Sequence, residues 1–168
     1  NIDNDGQPMP GSVVGFATEQ DTAKVNGYLK MTQIKNLFPG DLKLMWSRKP
    51  YGFDDTKRIY ELHAIKITSR DGQAPLNGSA ISSAKATIKS KGADVRVSFS
   101  MNSEGAGILA RMTHDNIDRN IAFVMNGSVI YSPRVVNEIT DGKAEISSNF
   151  TPEEAIDLAG ILNSGELP

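Results

Sequence analysis

Two histidines, His63 and His114, supply the only imidazoles of a 168-residue chain, and cysteine is absent. That removes thiol nucleophiles, thiolate metal sites and any disulfide framework at once. A histidine metal centre needs two rings on one face, as HxxxH or HExxH provides, and neither spacing occurs. His63 falls in the middle of a strand-like run. His114 falls near a helix end, where interaction with the helix dipole is the plainer role. "NIDNDG" at residues 1–6 imitates the start of a calcium loop, but its twelfth position is Ser12 rather than a bidentate glutamate, and Pro8 and Pro10 break the frame. "GSVVG" and "SEGAG" carry glycine without the GxGxxG or GxxxxGK[ST] order that cradles phosphate. Serines are plentiful, yet no GxSxG elbow is present. Glu153 and Glu154 read as first-turn partners of a helix dipole, not as an acid–base pair. No catalytic, metal or cofactor residue is therefore expected, and no enzymatic turnover. One group is left over. "WSRKPYGF" gathers Trp46, Tyr51 and Phe53, which either stack on a ligand or cover an edge of the core.

The elements that must position these residues are punctuated clearly. Gly6, Pro8, Pro10 and Gly11 make residues 1–15 a flexible lead-in. "TEQDTAKVNGYL" predicts a helix with Thr18 as its cap, and "MTQIKNLF" a second, short one stopped at Pro39. "DLKLMW" and "RIYELHAIKIT" alternate as strands. "AISSAKATI" fits either a strand or a helical turn. "ADVRVSFSM" is a strand with Val95, Val97 and Phe99 on one face. "SEGAGILARMTHDN" predicts a helix over 103–115, with Ser103 as candidate cap. "NIAFVM" and "SVIYS" flank Asn126-Gly127, a strong hairpin signal, because both residues tolerate positive φ. "KAEISS" adds a short strand. The last helix, 151–163, has Thr151 as cap, Pro152 at its first position, Glu154 completing a capping box and Gly165 as its stop.

These elements predict an α+β fold: an antiparallel sheet from about residue 59 onward with helices packed on one face, preceded by a short helical N-terminal segment over 16–58. Residues 59–168 are expected to form the main subdomain. Net charge is -2, with 23% charged residues of both signs. That balance offers no electrostatic case for nucleic acid or an anionic membrane. No apolar run approaches the ~20 residues of a spanning helix.

Several segments, taken in order, resemble one family. "FTPEEAIDLAGILNSGELP" is similar to a capped F-T-x-E-E-A helix leading through L-x-S-G to L-P. "NIAFVMNGSVIYSP" is similar to the hairpin I-A-I-V-L-D-G-x-V-x-S-x-P, and "FSMNSEGAGILARMTHDN" to S-M-N-x-E-G-A…T-x-x-N. Together they resemble the first large periplasmic domain of SecD, the protein-export membrane protein. "DTAKVNGYL", "LFPGDLKLMWSRKP" and "AIKITSRDGQAPLNG" are similar to the fused SecDF form of Bacteroidetes. Asn126, Asp141-Gly142 and Ser148-Asn149 depart from the family pattern at turns.

The resemblance implies a domain on the periplasmic side of the bacterial inner membrane, belonging to a multi-spanning accessory subunit of the Sec translocon. It implies capture of unfolded preprotein during export driven by the proton-motive force. It also implies engagement of a SecYEG-type translocon through the full-length protein, and membrane attachment only through segments absent from this chain. Trp46, Tyr51 and Phe53 are then the candidates for preprotein contact. A free-standing periplasmic ligand-binding module that reuses the fold is the alternative.

Overall fold

Along the first strand of the chain, Val13–Thr18, half-buried and exposed residues alternate strictly. The computed structural model describes residues 11–51, 58–89, 95–147 and 150–165. The chain divides into two compact units. One comprises Asn1–Gln73 with Ala122–Ser132; the other comprises Ala74–Ile121 with Pro133–Pro168. The fold is α+β, with antiparallel ladders between named strands throughout and helices packed on the sheets.

The first unit holds a three-stranded sheet in the order β1-β3-β2. Its strands are β1 (Val13–Thr18), β2 (Leu42–Trp46) and β3 (Ile59–Lys66). β1 runs straight into α1 (Glu19–Leu29), and α2 (Thr32–Lys35) is a single turn. Thr18 precedes α1 but donates its hydroxyl to Asp21 Oδ2 at 2.6 Å instead of capping a backbone amide. α1 turns Thr22, Val25, Asn26 and Leu29 inward, a helical stripe, while the intervening residues are exposed. A separate hairpin, β6 (Phe123–Met125) and β7 (Ser128–Tyr131), completes this unit. Asn126 and Gly127 take φ of 51° and 71°, the pair of positive angles that the two-residue turn demands. Val129 and Met125 of the hairpin are buried, and Arg48 donates its amide to Val129 O at 2.8 Å.

The second unit holds β4 (Ile81–Ile88), β5 (Val95–Met101) and β8 (Lys143–Ser147) in the order β4-β5-β8. Its two faces differ completely. Val97 pairs with Ala86 and Ile146, and Phe99 with Ala84 and Ala144, so one face is apolar. The other carries Arg96, Ser98 and Glu145, with Arg96 donating to Glu145 at 2.8 Å. α4 (Pro152–Ser164) packs on β4 and β5 and buries Ala155, Leu158, Ala159 and Leu162. Its capping box is complete: Thr151 accepts from Glu154 N, and Glu154 accepts from Thr151 N. α3 (Ser103–Asp115) is capped by Asn102, one residue before the expected Ser103, through its side-chain oxygen and Gly105 N at 2.8 Å. Gly105 is required there, because a Cβ would lie 2.8 Å from Ala80 Cβ.

Among the strand readings from sequence, two change and one that was open is resolved. The strand at 59–66 does not join the later strands in one sheet; it is the centre of the first sheet. The reason is that alternation specifies a strand but not its partner. Residues 13–18 form a strand that the turn-rich opening obscures. "AISSAKATI" resolves as a strand, β4, since it pairs along its length with β5. The calcium-like segment at 1–6 lies outside the described residues.

Candidate functional site

Trp46 closes β2 and stands opposite Leu62. Its indole Nε1 donates to Asn26 Oδ1 of α1 at 2.9 Å. A half-buried indole with its one donor satisfied is a tie between strand and helix. Tyr51 differs. Its amide donates to Ile59 O, which fixes the backbone, while the side chain remains exposed. Residues 59 and 62 of one strand point to opposite faces, so Tyr51 and Trp46, their cross-strand neighbours, do as well. The structure therefore separates two of the three aromatic candidates. Phe53 lies outside the described residues.

Tyr51 has a different partner, one that the sequence did not single out. Phe16 of β1 meets its ring edge-to-face, with centroids 5.8 Å apart and planes at 62°. Phe16 pairs with Glu61 and Tyr51 with Ile59, which places both rings on one face of the sheet. Tyr51 is 63% exposed, Phe16 49% and neighbouring Val14 48%. No alternation of residue type in "VVGFAT" marks Phe16; its exposure is seen only in the burial pattern of β1, in which Val14 and Phe16 are both exposed. A ring pair of this kind is rigid, apolar and wet, and suits weak contact with apolar side chains.

The two histidines serve separate units. His114 sits exposed at the end of α3, with Nδ1 3.3 Å from Glu138 Oε2. His63 is buried. Its Nδ1 lies 2.9 Å from Ser12 Oγ, and that hydroxyl is 2.8 Å from Ser132 Oγ. Its Nε2 faces Glu61 Oε2 at 3.6 Å, beyond hydrogen-bonding distance. Burial holds the imidazole below its ordinary pKa and pushes the Glu61 carboxyl above the ordinary carboxylate value. Serine, histidine and glutamate are the residue types of a hydrolytic triad. Here the acid does not grip the ring, and the serine is shared with a second hydroxyl. The cluster joins the start of β1, the centre of β3 and the end of β7. Among the described residues, no group of three His, Asp or Glu side chains is placed to hold a metal ion.

A family model described as "SecDF, P1 head subdomain" matches residues 57–168. This chain belongs to the SecDF P1 head family. The protein translocase subunit SecD of Rhodothermus marinus is 36% identical to it over 165 residues, which are 96% of this chain and 25% of that protein. SecD of Dictyoglomus turgidum is 34% identical over 121 residues, 70% of this chain and 30% of that protein. The chain thus spans about a quarter of the length of these SecD relatives. A solved structure described as a membrane component SecDF that enhances protein export has a TM-score of 0.52 at 19% identity, over 94% of this chain and 93% of that one. SecDF in a super-membrane-facing form gives 0.50 at 21%, over 94% and 28%. At such identities the structural likeness carries the fold alone. The printed name of these relatives, protein translocase subunit SecD, is that of a transport component. No described helix of this SecDF head-family member is long and apolar enough to cross a membrane.

Proposed function

We propose that this chain is the periplasmic part of a SecD-type accessory subunit of the Sec translocon. In this reading it captures unfolded preprotein and assists export driven by the proton-motive force. Spans outside this chain hold it at the inner membrane, and the full-length protein engages a SecYEG-type translocon. Residues 59–168 act as the head and 16–58 as its connector. Membership of the SecDF family and the likeness to SecD over nearly the whole chain support the setting. The observation that carries the capture role is the exposed Tyr51–Phe16 ring pair. An accessory that hands polypeptide onward must bind many sequences and release them. Adaptable apolar contact does that, and a tight pocket would not.

Titration of the 168-residue chain with a chemically unfolded secretory protein tests this. A Kd around the micromolar range or weaker is expected, near -8 kcal/mol at most. Tyr51→Ala should weaken binding roughly fivefold, as loss of a partly exposed aromatic contact worth about 1 kcal/mol does. Its melting temperature should move by no more than about 2 °C, as for other exposed sites. Trp46→Ala should behave in the opposite sense and cost stability, because Asn26 loses its donor. Unchanged binding with a large loss of stability in Tyr51→Ala would make the ring pair structural and end this reading.

A further inference from the structure

The net charge of -2 conceals an uneven distribution. From Thr22 to Gly40 there is no acidic residue, and Lys24, Lys30 and Lys35 lie within that stretch. All three lysines are exposed, as are four large apolar side chains of the same segment. Tyr28 is 51% exposed, Met31 49%, Leu37 75% and Phe38 42%. This exposure is imposed by an ordered backbone. Met31 N donates to Tyr28 O, Ile34 N and Lys35 N to Met31 O, Asn36 N to Thr32 O, Leu37 N to Ile34 O and Phe38 N to Lys35 O. Successive turns therefore present apolar and cationic groups alternately, while Val25, Asn26, Leu29 and Ile34 supply the less exposed side. Lys24 and Tyr28 are one helical turn apart on the outer side of α1. Leu37 and Phe38 stand together at the turn that ends at Pro39-Gly40.

We propose that residues 24–38 form a contact surface for an anionic phospholipid bilayer, with Leu37, Phe38, Met31 and Tyr28 entering the interface and the three lysines meeting lipid phosphates. Exposed bulky apolar groups interleaved with lysine, and free of carboxylates, have the composition of a segment that lies on a charged bilayer. Each lysine held near an anionic surface is worth about a fivefold gain in partition, and the apolar groups add depth. The lysines select this occupant over an apolar polypeptide, which would offer them no counter-charge. The inference goes beyond polypeptide capture and uses different residues. It also revises the expectation from overall charge, since the local distribution supplies an electrostatic case that the average hides.

The test is flotation of the 168-residue chain with vesicles of equal parts phosphatidylglycerol and phosphatidylcholine, and with vesicles of phosphatidylcholine alone. The chain should float with the anionic vesicles, stay behind with the neutral ones, and be released as salt screens the lysines. Replacing Lys24, Lys30 and Lys35 together by Gln should reduce partition about a hundredfold, given roughly fivefold per lysine. L37S with F38S should reduce it about tenfold or more, through the apolar area withheld from the bilayer. All five positions are exposed, and unchanged circular dichroism and melting confirm that each variant folds. Absence of flotation, equal partition onto neutral vesicles, or variants that float like the parent would overturn the proposal. So would loss of unfolded-polypeptide binding in these variants when the parent itself does not float. The Tyr51 titration is read separately, so either proposal can fail alone.

Discussion

His63 shows how one side chain couples protonation to structure. The ring lies against Ser12 and Glu61, and the Ser12 hydroxyl in turn meets Ser132 from a third part of the chain. The ring's folded pKa is lowered by burial, so the folded state binds fewer protons than the unfolded one. The stability tied to the neutral ring is present above the ordinary histidine value of about 6.5 and is lost as pH falls through the lower folded value. Glu61 has the opposite sign. Its pKa is raised by burial, so its contribution is fully present below the ordinary carboxyl value and lost as pH rises through the higher folded value. Melting temperature measured from about pH 7.5 down to about pH 5.5 should therefore fall in the native chain. His63→Gln should flatten that limb, while Glu61→Gln, which removes a group of opposite sign, should keep or steepen it. A native profile that stays level over this range would show that the ring titrates without cost. At this scale the sequence was only partly legible. That His63 lies mid-strand could be read from alternation, but Ser12 and Ser132 are brought to it by tertiary contacts that no local pattern reports.

Elements whose rules are local were the most legible. The capping box of α4, the glycine stop at Gly165 and the Asn126-Gly127 turn each rest on residues adjacent in sequence, and each takes the expected form. Cap placement at α3 slipped by one residue because Asn102 and Ser103 both qualify, and the asparagine reaches Gly105 N. Strand partnership was the illegible part. β3 alternates like any half-buried strand, and only the fold shows that it lies between β1 and β2. Edge protection is likewise invisible from sequence. β4 is an edge strand, and Asn163 of α4 seals part of it. Its Oδ1 accepts from Ala84 N at 2.7 Å and its Nδ2 donates to Ala84 O at 2.9 Å, so the carboxamide imitates a neighbouring strand. Asn163→Leu removes both bonds and leaves an open backbone pair beside an apolar group. Each bond is worth about 1 kcal/mol, so a loss of roughly 1–2 kcal/mol is expected. That corresponds to a few degrees in melting temperature for a chain of this size. Self-association should rise as well, since bare edges pair with one another. Sedimentation at rising concentration checks this, and a monomeric variant of native stability would show that water serves the edge equally well.

The two units of the whole molecule are not contiguous in sequence. The first gathers Asn1–Gln73 and then borrows Ala122–Ser132 from a point well downstream. That borrowed hairpin is not decoration. Met125 and Val129 are buried, Val129 O accepts from Arg48 N, Ser47 bridges to Val129, and Ser132 reaches the hydroxyl of Ser12. A fragment of residues 1–73 therefore keeps β1, β2, β3, α1 and α2 but loses the two buried hairpin residues and one member of the His63 cluster. Its own contribution to the buried apolar set is small, with Leu62 as its most enclosed aliphatic side chain. Removing large buried side chains costs about 2–5 kcal/mol each, comparable with the entire stability of a small domain. The fragment is expected to melt without a cooperative transition and to show poor amide dispersion in nuclear magnetic resonance spectra. Adding the hairpin back by a short linker after residue 73 should restore a sigmoidal melt, because closing a loop of about ten residues costs on the order of 2 kcal/mol, less than burying Met125 and Val129 returns. A cooperative melt of the bare fragment at the temperature of the full chain would mean that β6 and β7 cover a unit already complete without them.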